Sequence, residues 1–116
     1  MGVRFTELCI DAAETRALGG WWAEVLGYRM EIADDGDVVL HAPNGAGPNL
    51  LFLAVPDEKV VKNRLHIDLT PDDQQAEVDR LIGLGARRVD IGQGEQSWVV
   101  LADPEGNEFC VLAAES

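Results

Sequence analysis

The chain has 116 residues, the length of one domain, and 47% of them are hydrophobic, which is enough for a modest core. A formal net charge of −12 repels phosphate groups, so we expect no nucleic-acid partner and no anionic membrane surface. No apolar run approaches the roughly 20 residues that cross a bilayer, and the first residues lack the apolar segment of a signal peptide. We therefore expect a cytoplasmic protein with reduced thiols at Cys9 and Cys110.

The first half of the chain reads as a strand, a helix and three further strands. Residues 3 to 10 alternate in polarity, which is typical of a strand. Asp11 and Glu14 have the spacing of a capping box and predict that a helix begins there. The apolar residues that follow recur every three or four positions, and Gly27 is typical of the residue after a helix. Alternation and the intervening turns predict the other strands at 28–33, 38–41 and 50–55.

The second half repeats this order after a charged linker at 56–63. Leu65-His66-Ile67-Asp68 echoes Leu8-Cys9-Ile10-Asp11, and Leu84-Gly85 echoes Leu26-Gly27. Thr70 and Pro71 predict the N-cap and first residue of a second helix. Strands follow at 87–91, 98–101 and 108–112, and Asp103-Pro104-Glu105-Gly106-Asn107 predicts a turn joining the last two. The chain is thus a tandem duplication of one β-α-β-β-β unit.

The duplication, the Leu-Gly helix ends and the Asp-Pro-Glu-Gly-Asn turn together resemble the glyoxalase/bleomycin-resistance/extradiol-dioxygenase superfamily, the vicinal oxygen chelate fold. The resemblance covers essentially the whole chain. It implies an α+β fold in which two tandem βαβββ modules form a cup-shaped, curved mixed sheet with the helices on its outer face. It implies a single domain at 1–116, with a first module at about 3–55 and a second at about 64–113. A homodimer is also implied.

Strand alternation predicts which side chains line the inner face of the cup. A face that mixes acids, imidazole, thiol and guanidinium suits a lined cavity better than a core. Trp98 either lines the cup or packs beneath it, since its register is uncertain by one residue. Of the basic residues, Lys59 and Lys62 are interpreted as solvated charges, whereas Arg64 could hold an anionic group of a ligand. The other candidate ligand-binding residues are Glu7, Cys9, Phe52, His66, Asp68 and Cys110.

By the resemblance, metal-dependent members take four ligands from the first and last strands of each half. His66 stands at one such position, and either Glu7 or Cys9 stands at another. Phe52 and Cys110 stand where the family usually has carboxylates, and Phe52 cannot coordinate a metal. Glu7, His66 and Cys110 could still hold a divalent ion, and a thiolate would favour zinc. A metal cofactor therefore stays open, as does a purely structural role for the imidazole and the two thiols.

These observations favour a protein that binds a small organic molecule in the cup with an incomplete set of metal ligands. The alternative is a metal-dependent lyase, isomerase or oxygenase of the glyoxalase or dioxygenase type, with Glu7 or Asp68 as base. A structural or regulatory domain with an unused cup is a third hypothesis.

Overall fold

The computed structural model describes Gly2, residues 4–92 and residues 94–114. The chain divides between Glu58 and Lys59 into two compact units, called unit 1 and unit 2 in chain order. Among the described residues, no helix is both long and apolar enough to traverse a bilayer.

Unit 1 contains a four-stranded mixed sheet and one long helix. Its elements are β1 (Glu7–Ala12), α1 (Thr15–Leu26), β2 (Arg29–Ile32), β3 (Val38–His41), a short 3-10 helix (Pro43–Gly45) and β4 (Asn49–Ala54). The strand order is β1-β4-β3-β2. β1 runs parallel to β4, and the remaining neighbours are antiparallel.

Unit 2 repeats this plan with shorter strands. Its elements are β5 (Asp68–Leu69), α2 (Gln74–Gly83), β6 (Arg87–Arg88), β7 (Val99–Ala102) and β8 (Glu108–Val111). The order β5-β8-β7-β6 and the parallel pairing of β5 with β8 reproduce unit 1. The prediction of an α+β fold with two tandem βαβββ modules is thereby confirmed.

The core of unit 1 lies between α1 and one face of its sheet. Leu18 and Trp22 of α1 are buried, as are Val38, Leu40 and Phe52 of the sheet. The helix comes so close to β3 and β4 at Gly19 that an added Cβ would lie 2.6 Å from Cγ1 of Val38 and 3.5 Å from the Phe52 ring. The absence of a side chain at that one helical position therefore lets α1 sit directly on the sheet.

Unit 2 has a smaller core of the same kind. Val78 and Leu81 of α2 are fully buried, as are Phe109 and Val111 of β8. The side-chain amide of Gln74 donates to the carbonyl oxygen of Val111 at 3.1 Å, which ties the first turn of α2 to β8. Burial of this apolar stripe, rather than helix propensity, stabilises α2 against the sheet.

The predicted turn between β7 and β8 has the expected chemistry. Asp103 is 1% exposed, and its Oδ1 accepts hydrogen bonds from the backbone N–H groups of Glu105 and Asn107 at 3.0 and 2.9 Å. Gly106 has φ of 86°, a conformation that favours glycine. The turn thus fixes the position of Glu108, where β8 begins.

Both helix starts differ from the predictions. Asp11 lies in β1 opposite Leu53 of β4, so it does not cap α1, and Glu14 occupies the N-cap position but its side chain makes no capping hydrogen bond. The second helix is capped by Asp73, whose Oδ1 accepts from the N–H of Ala76 at 3.0 Å, so the prediction that Thr70 caps it was also wrong. In the first case, pairing along the full length of β1 outweighs a local cap.

Candidate functional site

Three side chains that can bind metals or hydrogen-bond to ligands meet on the sheet of unit 2. Parallel pairing of β5 with β8 places Asp68 opposite Cys110. His66 precedes Asp68 by two residues, and its Nε2 lies 3.1 Å from Oδ1 of Asp68. One donor atom from each of these three residues lies within 4.8 Å of the other two. We call His66, Asp68 and Cys110 the unit 2 cluster.

The pairing of the two strands explains how the cluster forms. The N–H of Cys110 donates to the carbonyl of Ile67 at 2.9 Å, which extends the parallel pairing toward His66. Cys110 alternates along β8 with Phe109 and Val111, which belong to the buried core beneath α2. The cluster therefore belongs to the sheet face that α2 does not cover.

The cluster combines a buried thiol with two accessible polar groups. The side chains of His66 and Asp68 are 46% and 48% exposed, whereas Cys110 is 7% exposed. Burial raises the pKa of the Cys110 thiol, and the charge of Asp68 and its hydrogen bond with the thiol raise it further. The positive charge of Lys62 lowers the pKa of the thiol, but by less. At neutral pH the thiol is therefore protonated and donates to Asp68, and the imidazole and carboxylate remain open to a ligand.

Glu108 of β8 holds the segment 59–63, which precedes β5, through two side-chain contacts. Oε2 of Glu108 lies 3.1 Å from Nζ of Lys59, and Oε1 accepts from the backbone N–H of Asn63 at 3.0 Å. Burial raises the pKa of Glu108, but hydrogen bonds from Asn63, from its own N–H and from Lys59 outweigh this and lower it. Glu108 is therefore an ionised anchor for the segment 59–63.

The prediction that Phe52 lines the inner face was wrong. Phe52 is fully buried and lies next to Gly19 of α1, so it belongs to the helix-facing core. The register explains the error, because Phe52 pairs with Ile10 while Leu51 pairs with Cys9. Residues 50 to 53 are all apolar, so alternation could not tell which of them face the helix.

The remaining predicted site residues are distributed over both units. Glu7 and Cys9 are exposed on β1 of unit 1, on the face opposite to that of Phe52. Arg64 is exposed and lies outside any strand of unit 2. Trp98 is 36% exposed and lines an open cavity of unit 2 together with residues 88–90 and 94–96. Among the described residues of unit 2, three of the predicted site residues thus come together: His66, Asp68 and Cys110.

Sequence reasoning missed the role of Lys59. The prediction that Lys59 is a solvated charge was wrong, because its side chain is 18% exposed and paired with Glu108. The two residues are 49 positions apart, so no local pattern indicates the pair. Lys62 was likewise interpreted as a solvated charge, yet it is close enough to Cys110 to affect the pKa of the thiol.

The repeated βαβββ topology and its two mixed sheets define an α+β protein of the vicinal oxygen chelate class. A family model described as glyoxalase-like domain matches residues 7–112, and the chain belongs to this family. No curated protein sequence matches the chain significantly.

Solved structures with the same fold include proteins with different activities. A glyoxalase/bleomycin resistance protein/dioxygenase family enzyme from Burkholderia phytofirmans has a TM-score of 0.73 and 17% identity, over 94% of this chain and 97% of that one. The fosfomycin resistance protein FosX from Listeria monocytogenes, complexed with Mn(II), has a TM-score of 0.69 and 11% identity, over 99% and 92%. A bleomycin resistance determinant encoded on transposon Tn5 has a TM-score of 0.63 and 16% identity, over 98% and 100%. At these identities the likeness shows the fold alone.

The donors of the unit 2 cluster fit zinc. Nitrogen, oxygen and sulfur are all common zinc ligands, and Zn–ligand bonds of about 2.0–2.3 Å place tetrahedral donors roughly 3.3–3.8 Å apart. The donors here already lie within 4.8 Å of one another, so small side-chain rotations would suffice. A thiolate suits Mn²⁺ poorly, because that ion prefers oxygen ligands.

Proposed function

We propose that the protein binds a small organic molecule on the face of the sheet that carries the unit 2 cluster. One observation carries this proposal. His66 and Asp68 are about half exposed although they contact each other directly, so a ligand can reach both. Such convergent polar groups orient a ligand, and apolar or aromatic walls hold its body.

The chemistry of the cluster restricts the ligand. The carboxylate of Asp68 already accepts a hydrogen bond from the Cys110 thiol. The imidazole of His66 can donate or accept a hydrogen bond according to its tautomer. A matching ligand therefore carries both a donor and an acceptor close together, as in a hydroxyl next to a carbonyl. Trp98 offers an exposed aromatic surface in the same unit for a planar portion. The resistance proteins that share the fold make antibiotics reasonable members of a first panel.

Thermal-shift screening followed by calorimetry tests this proposal. The panel contains bleomycin, fosfomycin and planar hydroxy-ketone metabolites. A ligand at 100 times its Kd stabilises the folded protein by about 2.7 kcal/mol, which raises the melting temperature by several degrees. His66→Ala and Asp68→Asn should each weaken binding about tenfold or more, as expected for losing a hydrogen bond to a charged group.

Asp79→Asn is the matched control, since Asp79 is an exposed acid on α2 that bonds only to Gln75 among the described residues. It changes the net charge as Asp68→Asn does and should leave binding intact. Absence of any saturable ligand for the wild-type protein would refute the proposal. Equal binding by the wild-type and His66→Ala proteins would refute the assigned site.

A second candidate function is a zinc-dependent lyase, isomerase or oxygenase that acts on a small oxygenated metabolite. The specific observation is the set of three different donor types within 4.8 Å. Nε2 of His66, a carboxylate oxygen of Asp68 and Sγ of Cys110 would hold the ion, which supplies Lewis-acid polarisation of substrate oxygens. Cys110 must lose its proton to coordinate, so binding weakens as the pH falls.

Zinc titration of dialysed protein decides this second candidate without an activity assay. We expect one Zn²⁺ per chain, about one proton released on binding, and weaker binding of Mn²⁺. Cys110→Ser should lose most of the affinity, whereas Cys9→Ser, the matched thiol control in unit 1, should retain it. Equal zinc affinity in both variants would rule the cluster out as the metal site.

We also propose a cytoplasmic homodimer in which residues 1–116 form one domain with the two units as its modules. Exposed apolar side chains at Val60, Val61 and Leu65 support the dimer, because pairing would remove them from water. Light scattering on the wild-type protein should give the dimer mass, and Val61→Asp should give the monomer. A monomeric wild-type protein at micromolar concentration would contradict the dimer.

A further inference from the structure

A second group of polar side chains lies in unit 1 and was not predicted from the sequence. Arg29 of β2 pairs in register with His41 of β3. Leu40 pairs with Leu50, so the next step of the same register places Asn49 opposite His41. These three side chains form a row across three strands, and together with Asn44 they line one cavity.

The cavity belongs to the face of the unit 1 sheet that α1 leaves open. Leu40 and Leu50 are buried in the core. His41 and Asn49 are their sequence neighbours and therefore point to the other face. The backbone turns sharply at the rim, where Asn44 and Gly45 have φ of 57° and 65°.

The polar side chains of this cavity are a guanidinium, an imidazole and two amides. Oδ1 of Asn49 already accepts from the N–H of Ala42 at 2.9 Å, which leaves the side-chain NH₂ as the donor. Nε2 of His41 lies 2.7 Å from Oε1 of Glu31, a residue that does not line the cavity. Arg29 is exposed, and its guanidinium group has no hydrogen-bond or ion-pair partner within the part of the chain that the structure describes.

The exposed Arg29 stands at a cavity whose other side chains include those of Asn44 and Asn49. The sequence has 21 acidic and only 9 basic residues, so carboxylates are abundant as partners. No ion pair occupies Arg29 among residues 4–92 and 94–114, although a guanidinium group binds carboxylates and phosphates through two parallel hydrogen bonds. Because the guanidinium of Arg29 has no ion pair with the described residues and lines the cavity beside the side-chain amides of Asn44 and Asn49, it can bind an anion from outside the chain.

We propose that the cavity lined by Arg29, His41, Asn44 and Asn49 binds an oxyanion, the carboxylate or phosphate group of a small molecule. The guanidinium of Arg29 holds two oxygens, and the side-chain NH₂ groups of Asn44 and Asn49 are the neutral donors. The site lies wholly in unit 1 and does not depend on the unit 2 cluster.

NMR titration with inorganic phosphate and, separately, acetate tests this proposal at constant ionic strength. We expect saturable shifts of the amide signals of Asn44 and Asn49 and of the Arg29 side chain. Arg29→Gln should weaken binding about tenfold to a hundredfold, as expected for the loss of charge-assisted hydrogen bonds. Arg29 is exposed on its strand, and a thermal melt of the variant shows whether it is folded.

Arg16→Gln is the matched control, because Arg16 is an exposed residue of α1 in the same unit and the substitution removes the same charge. This control should keep the wild-type affinity within about twofold. Phosphate binding more tightly than acetate indicates a phosphate ligand, and the reverse indicates a carboxylate. Shifts that do not saturate with either anion, or equal weakening by both arginine variants, would overturn the proposed site.

Discussion

Replacing Gly19 by alanine tests how α1 is seated on its sheet. The added Cβ would lie 2.6 Å from Cγ1 of Val38, whereas carbon atoms in contact prefer about 3.5–4.0 Å. Val38 is fully buried, so its side chain has no free space to move into. Overpacking of this kind costs about 1–3 kcal/mol.

Gly20 provides a control within the same helix. A Cβ there would meet no atom within 4 Å. Both substitutions gain the same helix propensity, about 1 kcal/mol. The difference in unfolding free energy between the two variants therefore measures the clash alone, and we expect Gly19→Ala to be about 1–3 kcal/mol less stable than Gly20→Ala.

Urea denaturation followed by circular dichroism and tryptophan fluorescence gives these free energies. In a double-mutant cycle, Val38→Ala should cost less in the Gly19→Ala background than in the wild-type protein, by about the same 1–3 kcal/mol. Equal stability of the Gly19→Ala and Gly20→Ala variants would refute the packing of α1 on Val38.

Three further predictions concern unit 2. Asp73→Ala should lower the unfolding free energy by about 1 kcal/mol in urea denaturation, because Asp73 caps α2, whereas Thr70→Ala should have little effect. Glu108→Gln should cost about 2 kcal/mol at pH 7, and because the folded pKa is lowered, this loss should shrink as the pH falls below the ordinary value of 4.5. Asp68→Asn should speed alkylation of Cys110 by iodoacetamide at pH 8, because it removes a charge that raises the pKa of the thiol.

Each of these predictions has its own contradicting result. If the Thr70→Ala variant were less stable than the Asp73→Ala variant, Thr70 rather than Asp73 would be the residue that caps α2. If the loss of unfolding free energy in Glu108→Gln did not change with pH, ionisation of the Glu108 carboxylate would not stabilise the fold. The alkylation is measured in a Cys9→Ser background, since Cys9 is exposed and reacts as well, and an unchanged rate after Asp68→Asn would exclude the electrostatic effect.

Much of the fold follows from local patterns in the sequence. Gly27 ends α1 with φ of 71° and donates its N–H to Ala23, as a glycine after a helix commonly does. The Asp103 turn is specified by its own side chain and by Gly106. These features are local, because the residues that interact are within four positions of each other. The resemblance of the two halves then predicts that the second unit repeats the first.

The site depends more on contacts that are distant in sequence. Alternation predicted that His66, Asp68 and Cys110 share a face, but only the pairing of β5 with β8 shows that Asp68 lies directly opposite Cys110. In the uniformly apolar β4, alternation carried no information, and pairing with β1 decided that Phe52 faces the helix.

The order of the elements, their repetition and the chemistry of the last turn can therefore be predicted from the amino-acid sequence. Which side chains meet becomes known only from the folded chain: Lys59 with Glu108, Asp68 with Cys110, and Arg29 with His41. This difference arises because strand register depends on burial and backbone pairing along the whole strand, whereas turns and helix ends depend on a few adjacent residues.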